Sequence, residues 1–527
     1  MDIKTINSME KASVQIQPSG YARLLLAFLF IALVFIWTTF SHNGDHYNIF
    51  LTIGAVFGAY MAMNIGANDV ANNVGPAVGS KALTMMGAIV IAAIFEAGGS
   101  FIAGGDVVKT IQKGIIDPSM IANPDIFIWA MSAALLSAAL WLNLATYLGA
   151  PVSTTHAIVG GVMGAGIAAA GFGIVAWDSV GEIVASWIIS PILGGVIAAG
   201  FLYYIKKNIV YSEDMIESAK KIVPLLISLM ALAFITYLIL KGVNHLIKVN
   251  FLTALTIGTL SAVVIFFVVK PMIIHSADNV EQTRGGVNSL FTIPLIFAAA
   301  LLSFAHGAND VANAIGPLAA INDAIMGGAI NKEVGIPLWV MGVGAIGIVV
   351  GLSLYGPKLI KTVGNEITEL DQMRAFSIAM AAALTVIVAS QLGLPVSSTH
   401  IAVGGVFGVG FLREYLDRGE TNFLNTVREK FKADKKALDD MRTELKQLDA
   451  LENKTQPDYE RIVQLFKGID EKEELVRMEK KEYKGAKKIK YVKRDAVKKI
   501  IAAWIITVPA AAVLSAAVFF MIKGIMS

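Results

Sequence analysis

Two short stretches of this chain carry the residue types from which a cation site can be made. Residues 66–76 read GANDVANNVGP and residues 307–317 read GANDVANAIGP. Asn68, Asp69, Asn72 and Asn73 recur as Asn309, Asp310 and Asn313. Carboxylate and amide oxygens are hard ligands, suited to small cations such as sodium. Asn72 and Asn73 follow Asp69 by three and four residues, which sets all three on one helical face. Gly66 before and Gly75-Pro76 after predict a helix that is short or interrupted, with backbone carbonyls freed to join the coordination. A helix-capping Asn-Asp pair at a membrane boundary is the plainer alternative for one copy, and the duplication weighs against it.

A second pair of motifs suits an anion. Pro151-Val152-Ser153-Thr154-Thr155-His156 recurs as Pro395-Val396-Ser397-Ser398-Thr399-His400. Pro favours the first turn of a helix and Ser or Thr caps its start. A half-helix N-terminus gathers unpaired N–H groups and the positive end of the dipole. Ser153, Thr154, Thr155, Ser397, Ser398 and Thr399 add hydroxyl donors without fixed charge. Two such termini meeting at a pseudo-two-fold axis would wrap a tetrahedral oxyanion from opposite sides.

Three further groups are candidates for coupling. His156 and His400 follow the hydroxyls, where a histidine can donate a hydrogen bond, carry a proton or brace the half-helix. Glu96 lies inside the apolar run Gly87–Gly105 as a cation ligand, a proton carrier or a helix–helix contact. His306 precedes the second GAND motif, but its counterpart is Ile65, and that asymmetry argues against an essential role.

The elements that must hold these groups are membrane helices. The chain has 527 residues, of which 55% are hydrophobic and 16% charged, with a mean hydropathy of +0.65. Soluble domains carry about a quarter charged residues. Residues 413–499 hold 24 Lys/Arg and 19 Asp/Glu, so the remainder is far too apolar for a soluble surface. A net charge of +3 gives no reason to expect a nucleic-acid partner. The absence of cysteine excludes disulfide scaffolds and thiol chemistry. Leu24–Phe40 is too long for a cleavable signal and reads as the first span.

Apolar runs number thirteen, near 23–41, 48–65, 83–104, 127–149, 152–176, 181–205, 222–240, 251–269, 290–305, 335–355, 373–392, 396–412 and 500–523. Some are short and rich in Gly and Pro, as broken or re-entrant helices are. The doubled motifs repeat at offsets of 241 and 244 residues, so the chain is a duplication. A weaker echo joins Lys109-Thr110-Ile111 to Lys361-Thr362-Val363. Seven spans separate the starts of the copies, and an odd number inverts the second, an architecture of secondary transporters. The fold class expected is therefore an all-α polytopic membrane protein, an inverted-repeat transporter of about 12–13 spans.

Lys4, Lys11 and Arg23 place the N-terminus in the cytoplasm, and Lys206, Lys207, Lys220, Lys221 and the Lys-rich insert fall on the same side. The division expected is an N-terminal segment with an extra helix (1–44), repeat one (45–210), linking helices (211–287), repeat two (288–412), a charged cytoplasmic insert (413–499) and a final helix (500–527). In the insert, Leu424, Val427, Phe431, Leu438, Met441, Leu445 and Leu448 keep helical spacing. After Thr455-Gln456-Pro457, Ile462, Leu465, Phe466, Ile469 and Leu475 form a second arm, an antiparallel hairpin. It serves as a packing arm or as a docking element.

No GxxxxGK[ST] loop suggests ATP, and no GxSxG elbow accompanies the Ser, His and Asp residues that an intramembrane hydrolase would use. An anion channel or a transport-dead sensor would need flux that ignores cation gradients.

With GANDVAN and PVS[ST]TH both doubled, the chain resembles the inorganic phosphate transporter family, the PiT permeases, over most of residues 45–412 plus the last helix. The resemblance implies a non-enzymatic symporter of inorganic phosphate with sodium or protons in the cell membrane. It implies that Asp69 and Asp310, with neighbouring asparagines, bind sodium, and that the hydroxyls of 153–155 and 397–399 bind phosphate. Partners would be phosphate, sodium or protons and the lipid bilayer, with no cofactor beyond the coupling ions; a homo-oligomer is compatible. Relatives that use protons, move metal-phosphate or carry sulfate keep those alternatives open. Sodium is favoured because both Asn-Asp clusters are intact. The extra first helix and the insert depart from the family core.

Overall fold

The computed structural model describes residues 20–41, 48–121, 123–148, 152–242, 247–326, 336–366, 370–416, 421–451, 453–487 and 494–526. Lys4, Lys11 and Pro151, and the side chains of Lys361, Thr362, Val363 and Leu424, lie outside what it describes. The elements are helical. In chain order they are α1 (Gly20–Ser41), α2 (Asn48–Asn68), α3 (Val70–Gly79), α4 (Met85–Ala103), α5 (Gly105–Lys113), α6 (Pro124–Leu148), α7 (Thr154–Ala170), α8 (Trp177–Ile205), α9 (Met215–Lys241) and α10 (Phe251–Ala277). There follow α11 (Arg284–Ser289), α12 (Thr292–Asp310), α13 (Ala312–Met326), α14 (Leu338–Glu366), α15 (Gln372–Gln391), α16 (Ser398–Leu416), α17 (Thr421–Asp449), α18 (Gln456–Lys487) and α19 (Arg494–Met526).

Eleven helical segments among those described are long and apolar enough to cross a membrane. The sequence reading counts thirteen runs; the two that differ are α7 and α16. Both begin at the Ser/Thr motifs, with their first residues buried. They carry the hydropathy of spans because they are surrounded by protein, yet they start in the interior. α6 and α7 run antiparallel, with Gly161 against Ala134, and α15 and α16 repeat the arrangement with Gly405 against Ile378. The tip of each hairpin reaches the joint of a broken helix: Thr154 meets Asp69 between α2 and α3, and Ser398 meets Asp310 between α12 and α13. Each hairpin thus enters and leaves on one side. The crossings from α2 to α12 are then α2–α3, α4, α8, α9 and α10, still odd in number, so the second repeat remains inverted.

Prolines lie beyond the breaks, within the second halves. Pro76 and Pro317 sit inside α3 and α13. Neither has the N–H that would close a turn onto the carbonyls of Asn72 and Asn313.

The repeats are interleaved. α2 crosses α14 where Gly66 faces the Ile348 carbonyl, 1.9 Å from the place a Cβ would take, and Gly351 faces that of Met63 at the same distance. The related crossing of α12 and α4 sets Gly307 against Glu96 (2.2 Å) and Gly99 against Phe304 (2.0 Å). α7 meets α19 at Gly164 and Ala512, and α8 meets α16 at Gly195 and Gly408. No other side chain fits these approaches, which bring backbones together as membrane helix pairs do.

Residues 410–493 form a separate compact unit. Within it α17 and α18 form a hairpin, with Val427, Leu438, Leu465 and Ile469 buried and Phe431 stacked on Tyr483. Phe466 faces outward instead. Lys472 pairs with Asp434 at 2.8 Å and Arg461 with Glu444 at 2.8 Å. Glu479 is buried against Asp434, with Lys430 Nζ 3.4 Å away. Burial and the Asp434 carboxylate push the Glu479 carboxyl above its ordinary range.

Two predictions follow from this packing. Gly66→Val or Gly351→Val should cost about 1–3 kcal/mol or more through overpacking, while Gly200→Val, which meets nothing within 4 Å, should be neutral. Thermal unfolding of the purified full-length protein, read by size-exclusion fluorescence, measures both. For Glu479 the raised value means that its stabilising protonated form is lost as pH rises through the shifted range. Glu479→Gln should therefore raise the hairpin's resistance to proteolysis at neutral pH and have little effect near pH 4.

Candidate functional site

The two doubled motifs, four stretches in all, converge in one buried cluster, with contacts both within and between repeats. Thr154 Oγ1 donates to Asp69 Oδ2 at 2.5 Å, and Ser398 Oγ donates to Asp310 Oδ2 at 2.7 Å. Thr399, from the second repeat, donates to Asp69 Oδ1 at 3.2 Å and accepts from Asn72 at 2.8 Å. Asn313, also from the second repeat, donates to Thr154 (3.2 Å) and Thr155 (3.1 Å) of the first. Thr155 itself donates to the Val396 carbonyl across the same boundary. All these side chains are at most 2% exposed.

Ser153 and Ser397 do something different from their neighbours. Each accepts from the backbone N–H three residues on, at His156 (3.2 Å) and His400 (3.3 Å), and so caps its half-helix. Asn68 and Asn309 tie each broken helix to its hairpin. Asn309 donates to Ser390 and to the Leu394 carbonyl, and its oxygen accepts from Val396 N–H. Asn68 meets Thr146 at 3.1 Å; with its amide oxygen turned to Thr146, its nitrogen donates to Asp69 Oδ1 and Val152 O, both at 3.2 Å. Thr146 and Ser390 are related by the same 244-residue offset as the hairpin motifs.

The amide nitrogens are satisfied but several oxygens are not. Among the described residues, Asn72 Oδ1, Asn73 Oδ1, Asn313 Oδ1 and Asp310 Oδ1 are buried without a hydrogen-bond partner. A buried acceptor left so is costly. Such oxygens are of the hard type that could hold a cation.

Glu96 is not alone in its span. Asn73 Nδ2 donates to its Oε1 at 2.8 Å, and its Oε2 lies 2.7 Å from His306 Nδ1. The other ring nitrogen, Nε2, lies 2.7 Å from Asp310 Oδ2. His306 thus stands between the two carboxylates, 2.7 Å from each, and joins Glu96 to the cluster. Ligand atoms of Asp69, His306 and Asp310 lie within 4.8 Å of one another. This corrects the argument from asymmetry against His306. Its counterpart is Ile65, but the counterpart of Glu96 is Ile348, and both isoleucines are fully buried. One crossing carries a polar pair and the other an apolar one. Two symmetry breaks at related positions were the available signal.

His156 and His400 lie behind the capped half-helix starts. Their rings meet edge to face with centroids 4.4 Å apart. Trp187 covers His156 at 3.8 Å and Trp504 stacks on His400 at 3.5 Å. Trp187 Nε1 donates to the Pro395 carbonyl, and His156 Nδ1 lies 3.4 Å from the Trp504 carbonyl. Among the described residues neither ring bonds to Asp69, Asp310 or Glu96.

A sequence profile of the phosphate transporter family matches residues 65–515. A chain of Helicobacter pylori named as a candidate phosphate permease is 49% identical over 527 residues, 98% of each chain. One of Pyrococcus horikoshii, named likewise, is 41% identical over 370 residues, 69% of this chain and 89% of that one. A solved structure, "The sodium-dependent phosphate transporter", superposes with a TM-score of 0.73 at 32% identity, covering 90% of this chain and 100% of that one.

A double-mutant cycle tests the Glu96–His306 pair. His306→Ile leaves a buried carboxylate without its partner and should cost about 3–5 kcal/mol of stability. Glu96→Ile with His306→Ile copies the apolar crossing and should recover most of that loss. Additive losses in thermal unfolding would mean that the two side chains do not act as a pair.

Proposed function

The chain belongs to the phosphate transporter family, and from that premise we propose that it is a cation-coupled symporter, with sodium the favoured ion, importing inorganic phosphate across the cell membrane by alternating access. The fold and the family are those of membrane transporters. The N-terminus and the 413–499 insert face the cytoplasm in this reading.

The observation that carries the choice of ion is the set of orphaned oxygens on Asn72, Asn73, Asn313 and Asp310. Together with Asp69, and with Asn68 and Asn309 holding the joints, they offer oxygen ligands and no soft ones, as sodium requires. Coupling follows from one exchange of hydrogen bonds. The hydroxyls of Thr154, Ser398 and Thr399 donate to Asp69 and Asp310, so a cation on those carboxylates competes for the same oxygens. Sodium on the carboxylates releases those donors to phosphate. The half-helix starts at Ser153 and Ser397 add backbone N–H groups from opposite sides. Phosphate then binds well only after sodium.

Energetics requires the cation. Moving one charge through 100 mV is worth about 2.3 kcal/mol, so a dianion entering a negative interior is opposed by about twice that. Two or more sodium ions per phosphate offset or reverse the opposition. The Glu96–His306–Asp310 chain supports a second reading, in which protons replace sodium. Glu96 would then be the carrier, with His156 and His400 as further candidates.

Radiolabelled phosphate uptake into proteoliposomes decides between them. A sodium gradient at equal pH should drive uptake that excess sulfate leaves intact. Asp69→Asn and Asp310→Asn should each lower it by at least about 100-fold, the scale on which a lost buried charge contact acts, with the protein still in the membrane. Uptake driven by a proton gradient alone would reject sodium coupling, and normal transport in both variants would reject the carboxylate assignment.

A further inference from the structure

A cavity of about 570 Å³ opens between α1, α2, α6 and α14. Its polar wall is made by Arg23 on α1, Tyr60 and Asn64 on α2, Thr146 on α6, and Tyr355 and Lys358 on α14. No carboxylate lines it. Asn64 is only 4% exposed, and Arg23 lies within electrostatic reach of the Tyr355 hydroxyl. Thr146 is also the residue that meets Asn68. The cavity therefore ends one side-chain contact from Asp69.

The internal symmetry supplies a control. The 241-residue offset carries Tyr60 and Asn64 onto Leu301 and Ala305. The 252-residue offset that relates Gly99 to Gly351 carries Tyr355 and Lys358 onto Ala103 and Asp106. Those related positions carry no cation, and Asp106 is tied to Lys241 of α9. The cationic lining therefore belongs to one side of the duplicated scaffold only. It is completed by α1, the helix outside the repeats.

We infer that this cavity is a second oxyanion site, distinct from the hydroxyl cluster, that takes a phosphate-type group. Arg and Lys supply charge-assisted donors, and the tyrosine hydroxyls and the asparagine amide supply directional ones. Two sources share that chemistry. One is inorganic phosphate passing to or from Asp69. The other is the phosphoryl headgroup of an anionic lipid, its chain against Leu24 and Phe28 of α1, which also line the cavity. The inference deepens the transport reading, and its test does not depend on transport.

Equilibrium binding of radiolabelled inorganic phosphate to the full-length protein in phosphatidylcholine nanodiscs, with sodium present, is the first arm. Two classes of site are expected. Arg23→Gln with Lys358→Gln should weaken one class about tenfold, the effect of two partly screened charge contacts, and leave the other. Asp310→Asn should remove the other and leave this one, so failure of the symport reading is separately visible. Because Arg23 also flanks the first span, Lys358→Gln alone, at about threefold, checks that the effect is not misplacement of α1. The second arm is native mass spectrometry of phosphatidylglycerol retained by wild type and by the double variant. Loss of a phosphate class assigns free phosphate, and loss of retained lipid assigns the headgroup. The double variant matching wild type in both arms overturns the site.

Discussion

Everything in this molecule is arranged around the cost of keeping Asp69, Asp310 and Glu96 ionisable in the middle of a membrane. A carboxylate removed from water without compensation is unfavourable by several kcal/mol. Here each receives directed donors: Thr154 and Thr399 for Asp69, Ser398 and His306 for Asp310, Asn73 and His306 for Glu96. Donors must reach the joint of a broken helix from outside it, and only another chain end buried at the same depth can supply them. That requirement produces the hairpins whose half-helices start inside the protein. It also produces the interleaving, since Thr399 and Asn313 serve the opposite repeat.

Such depth is reachable only because backbones touch. Gly66, Gly351, Gly307 and Gly99 let α2, α14, α12 and α4 cross with no side chain between them. The prolines at 76 and 317 act nearby by releasing the backbone carbonyls of Asn72 and Asn313 from the helix ladder. Sequence features that look like three separate oddities in a membrane helix, glycine, proline and acid, are one device.

Much of this was legible in the sequence, for definite reasons. The repeats were readable because most residues that face the cluster keep their oxygen or hydroxyl in both copies, Asn73 against Ala314 being an exception. The direct contact of the Ser/Thr hydroxyls with Asp69 and Asp310 was not readable, because each motif by itself suits a different ligand. The span count was not readable to the end, because a half-helix enclosed by protein has the same composition as a full crossing. Glu96–His306 was hidden because its members lie 210 residues apart and each has an unremarkable isoleucine as its counterpart. Capping by Ser or Thr at the half-helix starts was legible from the motif, whereas which hydroxyls cap (Ser153, Ser397) and which reach the carboxylates (Thr154, Ser398, Thr399) depended on the backbone geometry.

The unequal crossings have a consequence for how such a protein can be assembled. A dimer of identical halves with this interleaving would place the same two residues at both crossings. It could hold two glutamate–histidine bridges or two isoleucine pairs, and never one of each. The single bridge, with one member on each half, is therefore information that only a covalently joined pair can store. Fusion of the halves does more than fix their stoichiometry; it makes directionality heritable, because one face of a nearly symmetric machine can then be altered without altering the other.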